Sequence, residues 1–363
     1  MKTYPIPMVP GPVSVPRRVM EAYLTDYGSA DMEVEFLELY RHTAQQMQQL
    51  FGTSQDVVLH TGEGMIALWG ALKSVIVPGD RVLAISTGIF GGGIGAMAAS
   101  IGANVMTVEY EFNQTVNDLG KVEEAIRSFQ PKMITVVHCE TPSGTLNPID
   151  GIGALKQEYQ VPLLYMDCVA SMGGAEVLTD AWNVDLALGG SQKVLSVPPG
   201  MSMIAVSENA WKIAEEVKYV GYDALLPLRN AEREPGVFPY TPDWHGVAAL
   251  SAGADLILEE GLAACFARHE AVAAYTRQRL QAMGIPLFYA PDAIPSPTVT
   301  AAMVPDGWEW ADFDAALRAQ GLVVGGSYGP MAGKVFRLGH MGSQATLELV
   351  DQALSIIQKV ISR

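Results

Sequence analysis

The chain has 363 residues, 49% hydrophobic and 17% charged, a composition that suits a folded globular protein with one large domain and a smaller one. Its 39 acidic and 23 basic side chains leave a formal charge of −16, uninterrupted by any basic cluster, which argues against nucleic acid or anionic membranes as partners. Three scattered cysteines (Cys139, Cys168, Cys265) suit neither a disulfide framework nor a zinc site, and read as small core residues of a reducing compartment. No apolar stretch reaches membrane-span length and Met1–Met8 lacks a signal-peptide core, so a soluble, cytoplasmic protein is expected.

Residues 1–16 are proline-rich and read as irregular, with Pro10-Gly11-Pro12 a fixed turn. A short helix entered through Pro16 runs to Tyr23. Apolar residues at helical spacing then predict a helix over 34–51, stopped by Gly52. Strands are expected over 57–59, 81–85, 105–108, 133–137 and 162–166, the last ending at Asp167. Helices are expected over 65–77, from a glycine-rich turn (Gly88, Gly91, Gly92, Gly93) to about Ile101, over 122–129 and over 149–159. This rhythm argues for an α/β fold, a mostly parallel sheet with helices on both faces and ligands at the carboxyl ends of its strands.

The character changes after about residue 215. A loop carrying Arg229 and Arg233 precedes helical patterns over 247–260 and 264–283. Strands over 298–304 and 334–338 and helices over 311–320 and 345–361 complete the chain. The expected division is an N-terminal segment (1–20), a large domain (21–259) and a small C-terminal α+β domain (260–363).

Lys193 stands between two apolar runs, 185–188 and 201–206, in a Gly/Ser turn closed by Pro198-Pro199-Gly200. A lysine there either reaches solvent or serves as a neutral amine, and the commonest use of a neutral amine is a Schiff base. Asp167, at the end of its strand, is either a helix N-cap or a buried charge with a cationic partner. Thr61-Gly62-Glu63-Gly64 is either a plain tight turn or a phosphate cradle, with the Glu63 side chain expected to point elsewhere. Thr141 offers a hydroxyl at a strand end. Phe90, in the glycine-rich turn, either covers a flat ligand or plugs the core. Arg337 suits a carboxylate. The Arg229/Arg233 loop either binds a second substrate anion or is plain surface. His60, His138 and His340 lack metal-ligand spacing and read as hydrogen-bonded structural residues, so no metal is expected. A lysine, a buried acid, a phosphate cradle, a flat cover and a carboxylate fork are the set that pyridoxal phosphate needs.

Seven motifs carry a family resemblance across nearly the whole chain. They are Pro10-Gly11-Pro12, Thr61-Gly62-Glu63-Gly64-Met65, Glu140-Thr141-Pro142-Ser143-Gly144, Asp167-Cys168-Val169-Ala170-Ser171, Ser191-Gln192-Lys193, Pro198-Pro199-Gly200 and Gly333-Lys334-Val335-Phe336-Arg337. Together they resemble the class V, fold-type I aminotransferases that use pyridoxal 5′-phosphate. The alanine–glyoxylate and serine–glyoxylate group shares most of them, while Glu63, residues 140–155 and Gly339-His340-Met341-Gly342 look most like pyridoxamine–pyruvate transaminase.

The resemblance implies that Lys193 forms the Schiff base, Asp167 pairs with the ring nitrogen, Phe90 stacks on the ring and Thr141 bonds its hydroxyl. It places Glu63, Gly64, Met65 and Gln192 around an anchored phosphate, with Thr241 reaching that phosphate from the other subunit of a homodimer. Arg337 would take the substrate carboxylate, and Tyr328 stands where the likeness has a second substrate-binding arginine. The activity implied is ping-pong transamination from a small amino acid to glyoxylate or pyruvate, with the coenzyme staying on the enzyme. The alternatives are pyridoxamine–pyruvate transamination, cysteine desulfurase or related C–S lyase chemistry, and a non-catalytic dimer.

Overall fold

The computed structural model describes residues 3–362. The chain opens with strand β1 (Ile6–Met8) and helices α1 (Arg17–Glu21) and α2 (Val34–Phe51), and Gly52 ends α2 in the left-handed region. An alternating stretch follows: β2 (Asp56–Thr61), α3 (Gly64–Val75), β3 (Arg81–Ser86), α4 (Ile89–Ser100), β4 (Asn104–Glu109), α5 (Leu119–Phe129) and β5 (Met133–Val137). Two-residue strands β6 (Cys139–Glu140) and β7 (Thr145–Leu146) precede α6 (Asp150–Glu158), β8 (Leu163–Asp167), β9 (Leu186–Gly190) and β10 (Met201–Val206). Helices α7 (Glu208–Val217), α8 (Trp244–Glu260) and α9 (Leu262–Ala282) lead to β11 (Thr300–Met303), α10 (Trp310–Ala319), β12 (Leu322–Gly326), β13 (Val335–Leu338) and α11 (Leu347–Ile361).

Seven strands form the large sheet in the order β2-β10-β9-β8-β5-β3-β4. Its pairings are parallel except those of β10, which runs antiparallel to both β2 and β9. Strands β5, β8, β9 and β10 are buried at every residue, which is why they read as unbroken apolar runs instead of alternating patterns. The expected α/β class is the one observed. Because β5, β8 and β9 run parallel, their carboxyl ends share one edge, where the polar turns collect.

The smaller sheet has the order β1-β12-β13-β11 and its own apolar core, built around Phe313, Phe336, Leu338, Leu354 and Ile357. Residues 1–16 were expected to be irregular, yet Ile6–Met8 is a strand of this sheet, parallel to β12. Ile6 N–H donates to Gly321 O at 3.1 Å, and Gly339 N–H donates to Met8 O at 2.7 Å. An edge strand tolerates Pro7, whose missing N–H leaves no rung of an inner ladder empty. Ile6–Met8 is therefore part of the smaller sheet. Gly91, Gly92 and Gly93 also differ from expectation, since they lie inside α4 and not in a turn before it. Among the described residues no helix is long and apolar enough to cross a membrane.

Candidate active site

One cleft of about 120 Å³ collects Glu63, Gly64, Met65, Phe90, Thr141, Asp167, Gln192 and Lys193, together with Cys139. Asp167 comes from the end of β8, Gln192 and Lys193 from the turn after β9, Glu63 to Met65 from the start of α3, and Phe90 from the first turn of α4. Residues spread over 130 positions thus meet because parallel strands end at one edge. A larger groove of about 940 Å³ lies beyond the outer side of α4's first turn, against Ile89 and Gly92, and holds neither Lys193 nor Asp167.

The Lys193 turn is rigidly held. Ser191 Oγ donates to Pro198 O at 2.7 Å, and Val197 N–H donates to Ser191 O at 3.0 Å. The Lys193 amine donates to Pro10 O at 2.5 Å. Its stem passes so close to Gly11 that an added Cβ would lie 2.5 Å from Lys193 Cδ, and Gly11 has a φ of +89°. Burial pulls the amine down to about 8, and the Arg337 charge pulls the same way. Lys193 is half-buried, with its amine held on the Pro10 carbonyl and lowered toward, but not into, the neutral form at pH 7.

Asp167 is 6% exposed, and its Oδ1 accepts from Val169 N–H at 2.9 Å. Burial pushes its carboxyl up to about 6; the Val169 amide and Lys193 oppose that rise, while Glu63 adds to it. No helix starts at this strand end, so Asp167 is a buried charge and not an N-cap.

Glu63 departs from expectation. Its side chain turns back onto the first turn of α3, where Oε2 accepts from Met65 N–H at 2.9 Å. Its Oε1 accepts from Gln192 Nε2 at 2.5 Å, which leaves the buried Gln192 Oε1 without a partner. A helix N-terminus attracts anions. Here the chain's own carboxylate is the anion. The cleft therefore suits the ring and aldehyde carbon of a pyridoxal, with Lys193 and Asp167 on its walls. A phosphate suits it only if Glu63 leaves the α3 amides and Gln192.

Arg337, on β13, is 4% exposed. Its Nε and Nη2 donate to Gly326 O at 2.8 and 2.5 Å, and Nη1 lies 3.5 Å from Thr141 O. Tyr328, 54% exposed, covers the guanidinium with its ring centroid 4.8 Å away. None of these partners is anionic, and burial lowers the guanidinium pKa. Arg337 and Tyr328 thus flank the cleft beside Thr141 without lining it.

Thr241 is exposed and does not line this chain's cleft. Its loop nevertheless abuts the cradle, since Thr61 N–H donates to Tyr240 Oη at 3.3 Å and Asp243 N–H donates to Thr61 Oγ1 at 3.2 Å. Arg229 is taken by Glu208 and Glu215 and lies over Trp211, so its guanidinium serves the surface. His340 and His138 are hydrogen-bonded through Thr300 and Ser171. His60 differs from expectation: both ring nitrogens are buried without partners, and burial lowers it to about 4.

Two residues of the site were given no role by sequence reasoning. Cys139 lines the cleft, its thiol 3.2 Å from Ser296 Oγ and pushed up to about 11 by burial. Glu140 lies fully buried beneath Phe90. The signal for Glu140 was present: an acid inside an otherwise apolar and small-residue turn.

A model of the family "Aminotransferase class-V" matches residues 10–341. An alanine–glyoxylate aminotransferase of Callithrix jacchus is 34% identical over 97% of this chain and 86% of its own length. A pyridoxamine–pyruvate transaminase of Mesorhizobium japonicum is 33% identical over 94% of this chain and 87% of its own. The crystal structure of a ureidoglycine–glyoxylate aminotransferase from Bacillus subtilis superposes with a TM-score of 0.95, at 32% identity, covering all of this chain and 94% of that one.

Proposed function

The chain belongs to the class-V aminotransferases, and from that membership we propose that it moves an amino group from a small amino compound to glyoxylate or pyruvate by ping-pong transamination. The observation that carries this reading is the desolvated Lys193 amine, lowered to about 8, in one cleft with the buried Asp167. Pyridoxal phosphate, when bound, supplies an aldehyde carbon that exchanges amines and a ring that withdraws electrons. Lys193 would be the nucleophile toward that carbon, and its amine would move the proton between the substrate Cα and the cofactor C4′. Asp167 opposes the ring nitrogen and keeps it protonated, because a neighbouring carboxylate raises that nitrogen's pKa. Phe90 would cover the ring face, Thr141 would bond its hydroxyl, and Gly64, Met65 and Gln192 would form the phosphate end once the Glu63 carboxylate has left them. Arg337 would take the α-carboxylate and so orient the substrate.

A homodimer fits this reading. Val220 and Tyr222, 90% and 80% exposed, stand on the loop beside Tyr240 and Pro239, next to the loop of Thr241. A partner covering this apolar face would bring its own Thr241 toward the phosphate end. The test is a panel of amino donors against glyoxylate and pyruvate, with Lys193→Ala as control and amino-acid products measured by mass spectrometry. Product formation that depends on Lys193 supports the reading; equal turnover by Lys193→Ala overturns it.

Glu63 favours a second reading, in which free pyridoxamine is the amino donor and pyruvate the acceptor. A carboxylate on the α3 amides repels a phosphate and leaves an unphosphorylated ring unopposed. Faster turnover of pyridoxamine than of any amino acid would select it. A desulfurase has less support. All three cysteines are buried, and Cys139, the one in the cleft, stays protonated at neutral pH.

A further inference from the structure

We propose that Glu140 is a positioning residue for the ring cover: its buried carboxylate grips the first turn of α4 and thereby fixes Phe90 over the cleft. The inference rests on the reading of Phe90 as that cover. Gly91 N–H donates to Glu140 Oε1 at 2.7 Å, and Phe90 N–H donates to Oε2 at 3.3 Å. These are two of the amides that a helix start leaves without partners inside the helix. Helix α4 has no cap of its own, since Gly88 at the N-cap offers no side chain. The cap comes instead from a strand 50 residues further along the chain.

Packing around the contact is tight. An added Cβ on Gly88 would lie 2.6 Å from Glu140 Cδ, and one on Gly91 would lie 2.8 Å from Ile85 O. The glycines that begin α4 thus let a distant carboxylate and the end of β3 approach its amides. Glu140 is itself held: its backbone carbonyl accepts from Gly144 N–H at 2.9 Å and from Ser143 Oγ at 3.3 Å. Neighbouring Cys139 and Thr141 line the cleft, so one short segment supplies two walls and the clamp on the cover. Burial and the nearby Asp167 push the Glu140 carboxyl up to about 7, while the two amides resist that rise. A buried carboxyl whose partners are two helix-start amides fits a clamp better than a solvated surface acid.

The experiment loads wild type, Glu140→Ala, Phe90→Ala and the double variant with pyridoxal, and fixes the ring on Lys193 with borohydride to count bound chromophore. The readout is the visible circular dichroism of the unreduced complex per bound ring, which reports how asymmetrically the ring is held. We expect at least a twofold loss in Glu140→Ala, a similar loss in Phe90→Ala and no further loss in the double variant. Glu140→Gln, which keeps one acceptor and the volume, should recover part of the signal. Wild-type dichroism in Glu140→Ala beside a loss in Phe90→Ala overturns the clamp and leaves the cover standing. Unchanged dichroism in Phe90→Ala overturns the cover reading and the clamp with it. If Glu140→Ala does not fold, Gly88→Ala presses on the same carboxylate with Glu140 intact, and the same outcomes apply.

Discussion

The guanidinium of Arg337 lies 4.8 Å from the ring centroid of Tyr328 and is otherwise held by the carbonyls of Gly326 and Thr141. A buried cation with an aromatic face and carbonyl partners still has an anion to gain. Replacing Arg337 by Lys keeps the charge and loses the fork. The expected outcome is a rise of about a hundredfold in KM for pyruvate or glyoxylate, with a smaller change in kcat. Steady-state kinetics at saturating amino donor measure it; an unchanged KM would remove Arg337 from the carboxylate site.

Glu63→Gln keeps the bond from Met65 N–H and removes the charge. Because a like charge at a few ångströms opposes a phosphate, the ratio of pyridoxal phosphate affinity to pyridoxal affinity should rise about tenfold or more. Absorbance titrations with both compounds give the ratio directly. A ratio that stays put, or falls, would show that this carboxylate does not govern the phosphate end.

The architecture was legible where burial was simplest. Strands such as Met133–Val137 and Leu163–Asp167 are covered on both faces, so their apolar runs announce them. Leu322–Gly326 was missed because two of its five residues are glycine, which dilutes the apolar signal. Lys193, Asp167 and Arg337 stood out in the sequence because each is a charge set in or beside an apolar run; Lys193 and Asp167 share the cleft, and Arg337 lies outside its lining. The contacts of Glu140 stayed hidden because its partners are backbone amides 50 and 49 residues away, and amides leave no trace in a side-chain pattern. Glu63 was misjudged for a related reason: sequence gives the turn but not the rotamer that folds a side chain back onto its own helix.

Lys193 should titrate as an amine lowered to about 8 by burial. The neutral form dominates above that value, so capture of pyridoxal should rise with pH up to about 8 and level off beyond it. An ordinary lysine would keep rising to about 10.4, with roughly 200-fold less free amine at neutral pH. Rates of absorbance change between pH 6 and 10 decide the matter, and a midpoint near 10 would contradict the burial argument.

Gly342 sits at a φ of +56°, and a Cβ there would press on Val194 O and Ser196 Oγ of the lysine turn. Its own N–H donates to His269 Nε2 at 3.0 Å, and Ser343 N–H donates to Ser196 Oγ at 2.9 Å. Gly342→Ala should therefore cost about 2 kcal/mol or more of stability and slow pyridoxal capture as well. Thermal melts beside capture rates test the pairing; a lower Tm with an unaltered capture rate would mean the turn is not braced from this side.

The opening residues have a practical side. Within eight positions, Ile6 zips onto Gly321, Pro10 offers its carbonyl to the Lys193 amine, and Val13 N–H donates to Gln192 O at 3.1 Å. A trimmed start or a bulky leading fusion is thus a remote-control mutation of the nucleophile. Purification handles belong at the other end of the chain, where α11 finishes at Ile361.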